Sequence, residues 1–131
     1  MAKRISIFLT EAEGKLARII WREAPMSSPE LVALADRELD WRKSTTYTVL
    51  KKLCNKGVFS NRRANVTVLL TPDEQKARES RGFVEDAFGG SLPRFVSAFI
   101  GNGKLTAEQA AELQRLIDEH EDGSEEGKPN G

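Results

Sequence analysis

Residues 41–63 read Trp41-Arg42-Lys43-Ser44-Thr45-Thr46-Tyr47-Thr48-Val49-Leu50-Lys51-Lys52-Leu53-Cys54-Asn55-Lys56-Gly57-Val58-Phe59-Ser60-Asn61-Arg62-Arg63, with seven Lys or Arg and no acid. At about 100° per residue, Thr46, Leu50 and Leu53 share one face of a helix, flanked by Val49 and Cys54. Ser44, Thr48, Lys51 and Asn55 share the opposite face, with Thr45, Tyr47 and Lys52 at its margins. The pattern predicts a helix from about Lys43 to Lys56, ended by Gly57 in the left-handed conformation. Its outward face is rich in hydrogen-bond donors and has no carboxylate, which suits a polyanionic partner.

Toward the amino terminus, Thr10-Glu11-Ala12-Glu13 spells a capping box: the Thr10 hydroxyl accepts a first-turn N–H and Glu13 reaches back to the cap. Leu16, Ile19 and Ile20 continue as an apolar stripe to about Trp21. Ala24-Pro25-Met26-Ser27 reads as a break, and Ser28-Pro29-Glu30 as the start of a short helix capped by Ser28, with Leu31, Leu34 and Ala35 inside. Leu39-Asp40-Trp41 is the turn into the basic helix. Beyond that helix, Val58-Phe59-Ser60 and Val66-Thr67-Val68-Leu69-Leu70 are β-prone, separated by the turn Asn61-Arg62-Arg63-Ala64-Asn65, which predicts a two-stranded hairpin with cations near its tip. Helix, short helix, turn, basic helix and basic hairpin follow the order of a winged helix-turn-helix, whose second motif helix enters the major groove of DNA. That groove, about 12 Å wide, admits a helix.

The remaining chain is helical. Thr71-Pro72-Asp73-Glu74 repeats the start signal, and its helix runs to about Phe88 before Gly89-Gly90. Phe83, Val84, Ala87 and Phe88 make its last part apolar, and Phe95, Val96, Phe99 and Ile100 form a second cluster on a short helix ended by Gly101-Asn102-Gly103. Thr106 with Gln109 caps a last helix bearing Ala110, Leu113, Leu116 and Ile117. The expected architecture is mainly α: a winged-helix DNA-binding domain with a small hairpin wing over 1–71, a helical region over 72–120, and a disordered acidic tail over 121–131.

Charge agrees with that division. The 131 residues carry zero net charge, but residues 1–65 hold 13 basic and 7 acidic side chains while residues 66–131 hold 7 and 13. One half can face nucleic acid while the other avoids it. Cys54 is the only cysteine, so one chain can build neither a disulfide framework nor a thiolate metal cluster, as expected in a reducing cytoplasm. No apolar run approaches the roughly 20 residues that span a bilayer, and no signal-peptide core follows Met1-Ala2-Lys3-Arg4; a cytoplasmic protein without membrane insertion is expected. Glu108, Glu112 and Glu119 form a solvated helix face with no nucleophile or base arranged around them, and His120 stands alone; neither an enzyme nor a metal site is expected.

Leu9-Thr10-Glu11-Ala12-Glu13, then Ile19-Ile20-Trp21, Trp41, and Ser44-Thr45-Thr46-Tyr47-Thr48-Val49-Leu50-Lys51-Lys52-Leu53 ending in Lys56-Gly57, resemble the BlaI/MecI/CopY family of bacterial transcriptional repressors. The likeness spans roughly residues 7–119. It implies an amino-terminal winged helix and a carboxy-terminal helical region that forms a homodimer, which binds a palindromic double-stranded DNA operator and blocks transcription.

By that resemblance Lys43, Ser44, Thr45, Tyr47 and Thr48 lie in the part of the recognition helix that reads bases or nearby phosphates. Some relatives carry Arg where Tyr47 stands; Arg pairs bidentately with guanine, whereas Tyr offers one hydroxyl and a ring. Lys51, Lys52, Arg62 and Arg63 are the expected phosphate contacts, the two arginines from the wing. Phe83, Val84, Phe88, Phe95, Phe99, Leu113, Leu116 and Ile117 are the candidates for the dimer core, the other reading being an ordinary intramolecular core. Copper-responsive members carry carboxy-terminal cysteines, and this chain has none after Cys54, so no metal or other cofactor is expected. In the β-lactamase branch a membrane sensor protease pathway leads to repressor cleavage before a phenylalanine; the matching bond here is Ala98–Phe99, with Ala98 where cleaved relatives carry Asn. Two competing classes remain at this point: a ligand-sensing winged-helix regulator of another family, and a winged-helix protein-interaction module without operator specificity.

Overall fold

The structure is a computed structural model and describes residues 6–122. The expected acidic tail therefore lies outside the described residues, apart from Glu121 and Asp122. Helix α1 (Glu11–Glu23) starts at the predicted capping box, with Glu13 N donating to Thr10 Oγ1 at 3.2 Å and Thr10 N to Glu13 Oε1 at 2.9 Å. Helix α2 (Ser28–Leu39) starts one residue earlier than predicted: Ser27, not Ser28, is the cap, and its Oγ accepts Glu30 N at 3.1 Å. Only Ser27 places a Glu at the third helical position, where the reciprocal bond closes.

The expected break at 24–27 contains a strand, β1 (Met26–Ser27), which is a correction to the hairpin reading. With β2 (Phe59–Arg62) and β3 (Asn65–Val68) it forms a three-stranded antiparallel sheet in the order β1-β3-β2. Val66 pairs with Met26 on one side and Asn61 on the other, so β3 is central. A two-residue strand carries no periodicity of its own, and its partner lies far along the chain. The turn is also tighter than predicted. Asn61, Arg62 and Asn65 lie in the strands, leaving Arg63 and Ala64 to turn the chain with φ of 52° and 63°. Positive φ at both central residues is the hairpin geometry that Asn-Gly serves best, and an L-residue there costs roughly 1–2 kcal/mol. Ala64→Gly should therefore raise stability by about 0.5 kcal/mol after the extra chain entropy of glycine is subtracted, a small upward shift in a thermal melt. A lowered melting temperature would contradict the strained turn.

Helix α3 (Lys43–Asn55) keeps both predicted faces: Thr46, Val49, Leu50 and Leu53 are buried, while Ser44, Thr45, Thr48, Lys51, Lys52 and Asn55 are exposed. Buried Thr46 is satisfied by donating to Arg42 O, 3.1 Å, one turn back. Gly57 follows with φ 80°, as its place after the helix required. Leu16 and Ile20 of α1, Leu31 of α2, Leu50 and Leu53 of α3 and Phe59 of β2 make the centre of one core. Trp21 ties the sheet to α1: its ring lies 5.4 Å from that of Phe59, and its Nε1 donates to Leu70 O at 2.8 Å.

Helix α4 (Pro72–Phe88) has the predicted Thr71–Glu74 box and ends at Gly89 with φ 58°. It is held to the winged helix through Gln75, 2 % exposed, whose Nε2 donates to Ile7 O at 2.7 Å. The chain separates into two compact units, one ending at Gly90 and one beginning at Ser91, so α4 groups with the winged helix. The second unit holds α5 (Leu92–Ile100), capped by Ser91, and α6 (Ala107–His120), capped by the Thr106–Gln109 box. Neither helix has a buried residue.

Candidate DNA interface

The exposed polar face of α3 is aimed by the core beneath it. Leu50, 1 % exposed, and Leu53, 0 %, anchor its inner side, which fixes which residues point away. Lys43, Ser44, Thr45, Thr48, Lys51 and Lys52 all stand exposed, and Arg62 and Arg63 stand exposed on the wing. The first turn of α3 holds no acid. Tyr47 is placed differently from its expected neighbours. It is half-buried, packs against the core and sits 3.3 Å from Ser28 Oγ through its hydroxyl. That bond joins α3 to the start of α2, so Tyr47 holds the two helices of the motif in register as well as bordering the outward face.

Asn61 escaped the reading of the sequence. The sheet brings it beside α3, where it borders a crevice with Tyr47, Lys51 and Cys54. A donor on β2 next to Lys51 extends the polar face from helix to wing, and only the strand pairing reveals it. Cys54 is half-buried, and burial pushes its thiol pKa up, against a smaller opposing hydrogen bond from the backbone of Asn61. A raised pKa keeps it a protonated, weakly reactive thiol at neutral pH. Trp41 packs against the core at the α2–α3 corner, where its backbone N donates to Ala35 O at 3.3 Å.

The far end of α3 is fixed by an ion pair that spacing alone could not show. Lys56 Nζ lies 2.5 Å from Glu13 Oε1, with the two side chains 11 % and 4 % exposed, and donates as well to Phe8 O at 2.7 Å. Burial pulls the Glu13 carboxyl upward, but the hydrogen bonds from Lys56 and Thr10 N and the charges of Lys56 and Lys52 outweigh it and hold the pKa below the ordinary value. The capping glutamate of α1 thus also anchors the end of α3.

The profile of the penicillinase repressor family matches residues 9–119. The chain belongs to that family. It is 25 % identical over 122 residues to the penicillinase repressor of Bacillus licheniformis, covering 90 % of this chain and 95 % of that protein. It is also 26 % identical over 113 residues to an uncharacterized 16.5 kDa protein in the ptsI 3' region of Latilactobacillus sakei, covering 83 % of this chain and 77 % of that one. The penicillinase repressor family is one of DNA-binding transcriptional repressors, and the winged helix described above is the fold that role uses. No helix among the described residues is long and apolar enough to cross a membrane, and no group of His, Cys, Asp or Glu among them is arranged to hold a metal ion.

The other predicted residues fall on α4, α5 and α6. Phe83 of α4 is exposed and Val84 and Phe88 half-buried, with the Phe83 and Phe88 rings 6.0 Å apart. On α5, Phe95 is half-buried and meets Phe99 at 5.9 Å, while Phe99 is 76 % exposed. Leu113, Leu116 and Ile117 are exposed on α6. The Ala98–Phe99 bond lies inside α5, one turn before Gly101, whose N donates to Ser97 O at 3.0 Å. His120 is exposed, its Nδ1 2.9 Å from Leu116 O.

Proposed function

We propose that this family member represses transcription as a homodimer bound to a palindromic operator, with α3 in the major groove and the wing on the adjacent backbone. The observation that carries the reading is the acid-free exposed face of α3 beside an arginine-tipped wing, with Leu50 and Leu53 locking its orientation. Ser44, Thr45 and Thr48 are the base readers; Lys43, Lys51, Lys52, Arg62 and Arg63 neutralise phosphates. Tyr47 takes part from the edge of that face while holding α2. The α5 and α6 helices supply the dimer contact, because Phe99, Leu113, Leu116 and Ile117 are exposed and no residue of either helix is buried. A two-fold axis through such a surface buries it and sets the two α3 helices about 34–36 Å apart, or a multiple of that. Cutting Ala98–Phe99 would sever α6 from the rest of the chain and remove part of that surface, the route by which a sensor protease would end repression. The acid-free face and the family match favour this reading over an interaction module without operator specificity.

A mobility shift with a palindromic fragment from the protein's own promoter, against random duplex of equal length, tests the claim. Binding no tighter than to random duplex would refute specific repression. The phosphate-binding side chains have a separate signature. Replacing Lys51, Lys52, Arg62 or Arg63 singly by alanine should weaken binding to every sequence and flatten the dependence of log affinity on log salt by about 0.9 for each phosphate no longer neutralised. An unchanged slope in all four variants would remove them from the backbone.

A further inference from the structure

A groove of about 850 Å³ runs between α1 and α4, within the unit that ends at Gly90. That volume falls within the range of small-molecule sites, roughly 300–1,000 Å³. Its apolar wall is Leu9, Trp21 and Pro72. Trp21 lines it with its one N–H already donated to Leu70 O.

The charges along the groove are unevenly used. Glu11 faces Lys15 at 3.9 Å, Glu79 accepts from Gln75 Nε2 at 2.9 Å, and Arg22 is held by Glu23 and Glu38. Arg18 of α1 and Lys76 of α4 also line it, and among the described residues neither guanidinium nor ammonium has an anionic partner. Gly14 lies beside the Arg18 head group. A glycine inside a helix costs about 1 kcal/mol against alanine, and packing does not demand it here: an added Cβ would meet only Arg18 Nη1, at 3.7 Å. The Arg18 head group therefore lies over the bare backbone of Gly14, at the side of the groove.

We propose that this groove binds a small carboxylate with an apolar body, the acid between Arg18 and Lys76 and the body against Trp21, Leu9 and Pro72. Charge complementarity selects the class: two cations without an anionic partner outnumber Glu79, the one lining carboxylate bonded only to a neutral amide, and with the apolar wall they suit an amphipathic anion better than a neutral or cationic molecule. The occupant bridges α1 of the winged helix and the helix that leads toward α5, so it acts on the seat of α4. The binding claim does not depend on the repressor reading and is tested without DNA.

Trp41→Phe leaves Trp21 as the only tryptophan, a reporter in the groove wall. Titration of that protein with phenylacetate at constant ionic strength should give a saturable change in its emission. Arg18→Gln and Lys76→Gln, both at exposed positions, should each weaken binding about tenfold. Gly14→Leu should abolish it by displacing the Arg18 head group, while Gly14→Ala, which adds only an ordinary van der Waals neighbour, should retain it. Absence of a saturable change at millimolar phenylacetate overturns the site, as does binding unaltered in both charge variants. Equal affinity for 2-phenylethanol, the same body without the charge, overturns the carboxylate assignment.

Discussion

Lys56→Ala is expected to lower stability by about 3–5 kcal/mol, because it leaves the nearly buried carboxylate of Glu13 without its cation. The loss reflects the stranded charge more than the net worth of the pair. Removing both charges together, as Glu13→Leu with Lys56→Met, should therefore recover much of it, less the bond from Lys56 to Phe8 O and the capping bond from Thr10 N to Glu13 Oε1. Acid titration gives an independent check. The folded pKa of Glu13 lies below its unfolded value, so its contribution is complete above the ordinary carboxylate range and is lost as pH falls through the lower, folded value. In Lys56→Ala the burial of Glu13 is no longer opposed by its main partner, so protonation relieves the variant and its deficit against the wild type should shrink on acidification. Denaturant midpoints across the acid range would show this. A deficit independent of pH would mean that Lys56 acts through packing and its bond to Phe8 alone.

Phe99→Asp is expected to have the largest effect on binding. Phe99 is 76 % exposed in the chain by itself, so the substitution should leave the melting of the winged helix unchanged. In the proposed dimer it would bury a carboxylate against apolar partners, which costs several kcal/mol and should yield a monomer. A monomer engages one half-site and forgoes the second, tethered one. Operator affinity should then fall toward the level of random duplex, a loss of at least about 10³-fold. Sedimentation equilibrium and operator titration of the same protein separate the steps. A Phe99→Asp protein that stays dimeric would move the interface elsewhere, and a monomer with full operator affinity would remove the need for a dimer.

Local rules explain how much of this could be read in advance. The boxes at Thr10–Glu13, Thr71–Glu74 and Thr106–Gln109 and the stop at Gly57 depend on residues three or four apart, and all stand as predicted. The capping error at α2 is of the same local kind, since Ser27 and Ser28 are adjacent hydroxyls and only the position of Glu30 decides between them. The two faces of α3 followed from its period, which located the exposed Lys and Thr residues. Tyr47 was less legible. It lies at the margin of that face, and its hydroxyl is drawn to Ser28, 19 residues away. The tight Arg63-Ala64 turn was hidden because neither residue announces a positive φ.

By itself the sequence determined where helices begin and end to within a residue or two, which side of α3 faces outward, and that the basic half of the chain precedes a helical half with apolar clusters. These are properties of neighbours on one helix turn or of composition, and they need no knowledge of what lies across the core. Tertiary structure alone decided that Met26-Ser27 forms a third strand, that Glu13 meets Lys56, that Trp21 reaches Leu70, and that Gln75 reaches Ile7. The side-chain bonds join residues 43, 49 and 68 positions apart. Such partners are chosen by how the buried faces close on one another, so no local pattern encodes them. The same closure brought α1 and α4 to the two sides of one groove, where among the described residues Arg18 and Lys76 have no anionic partner.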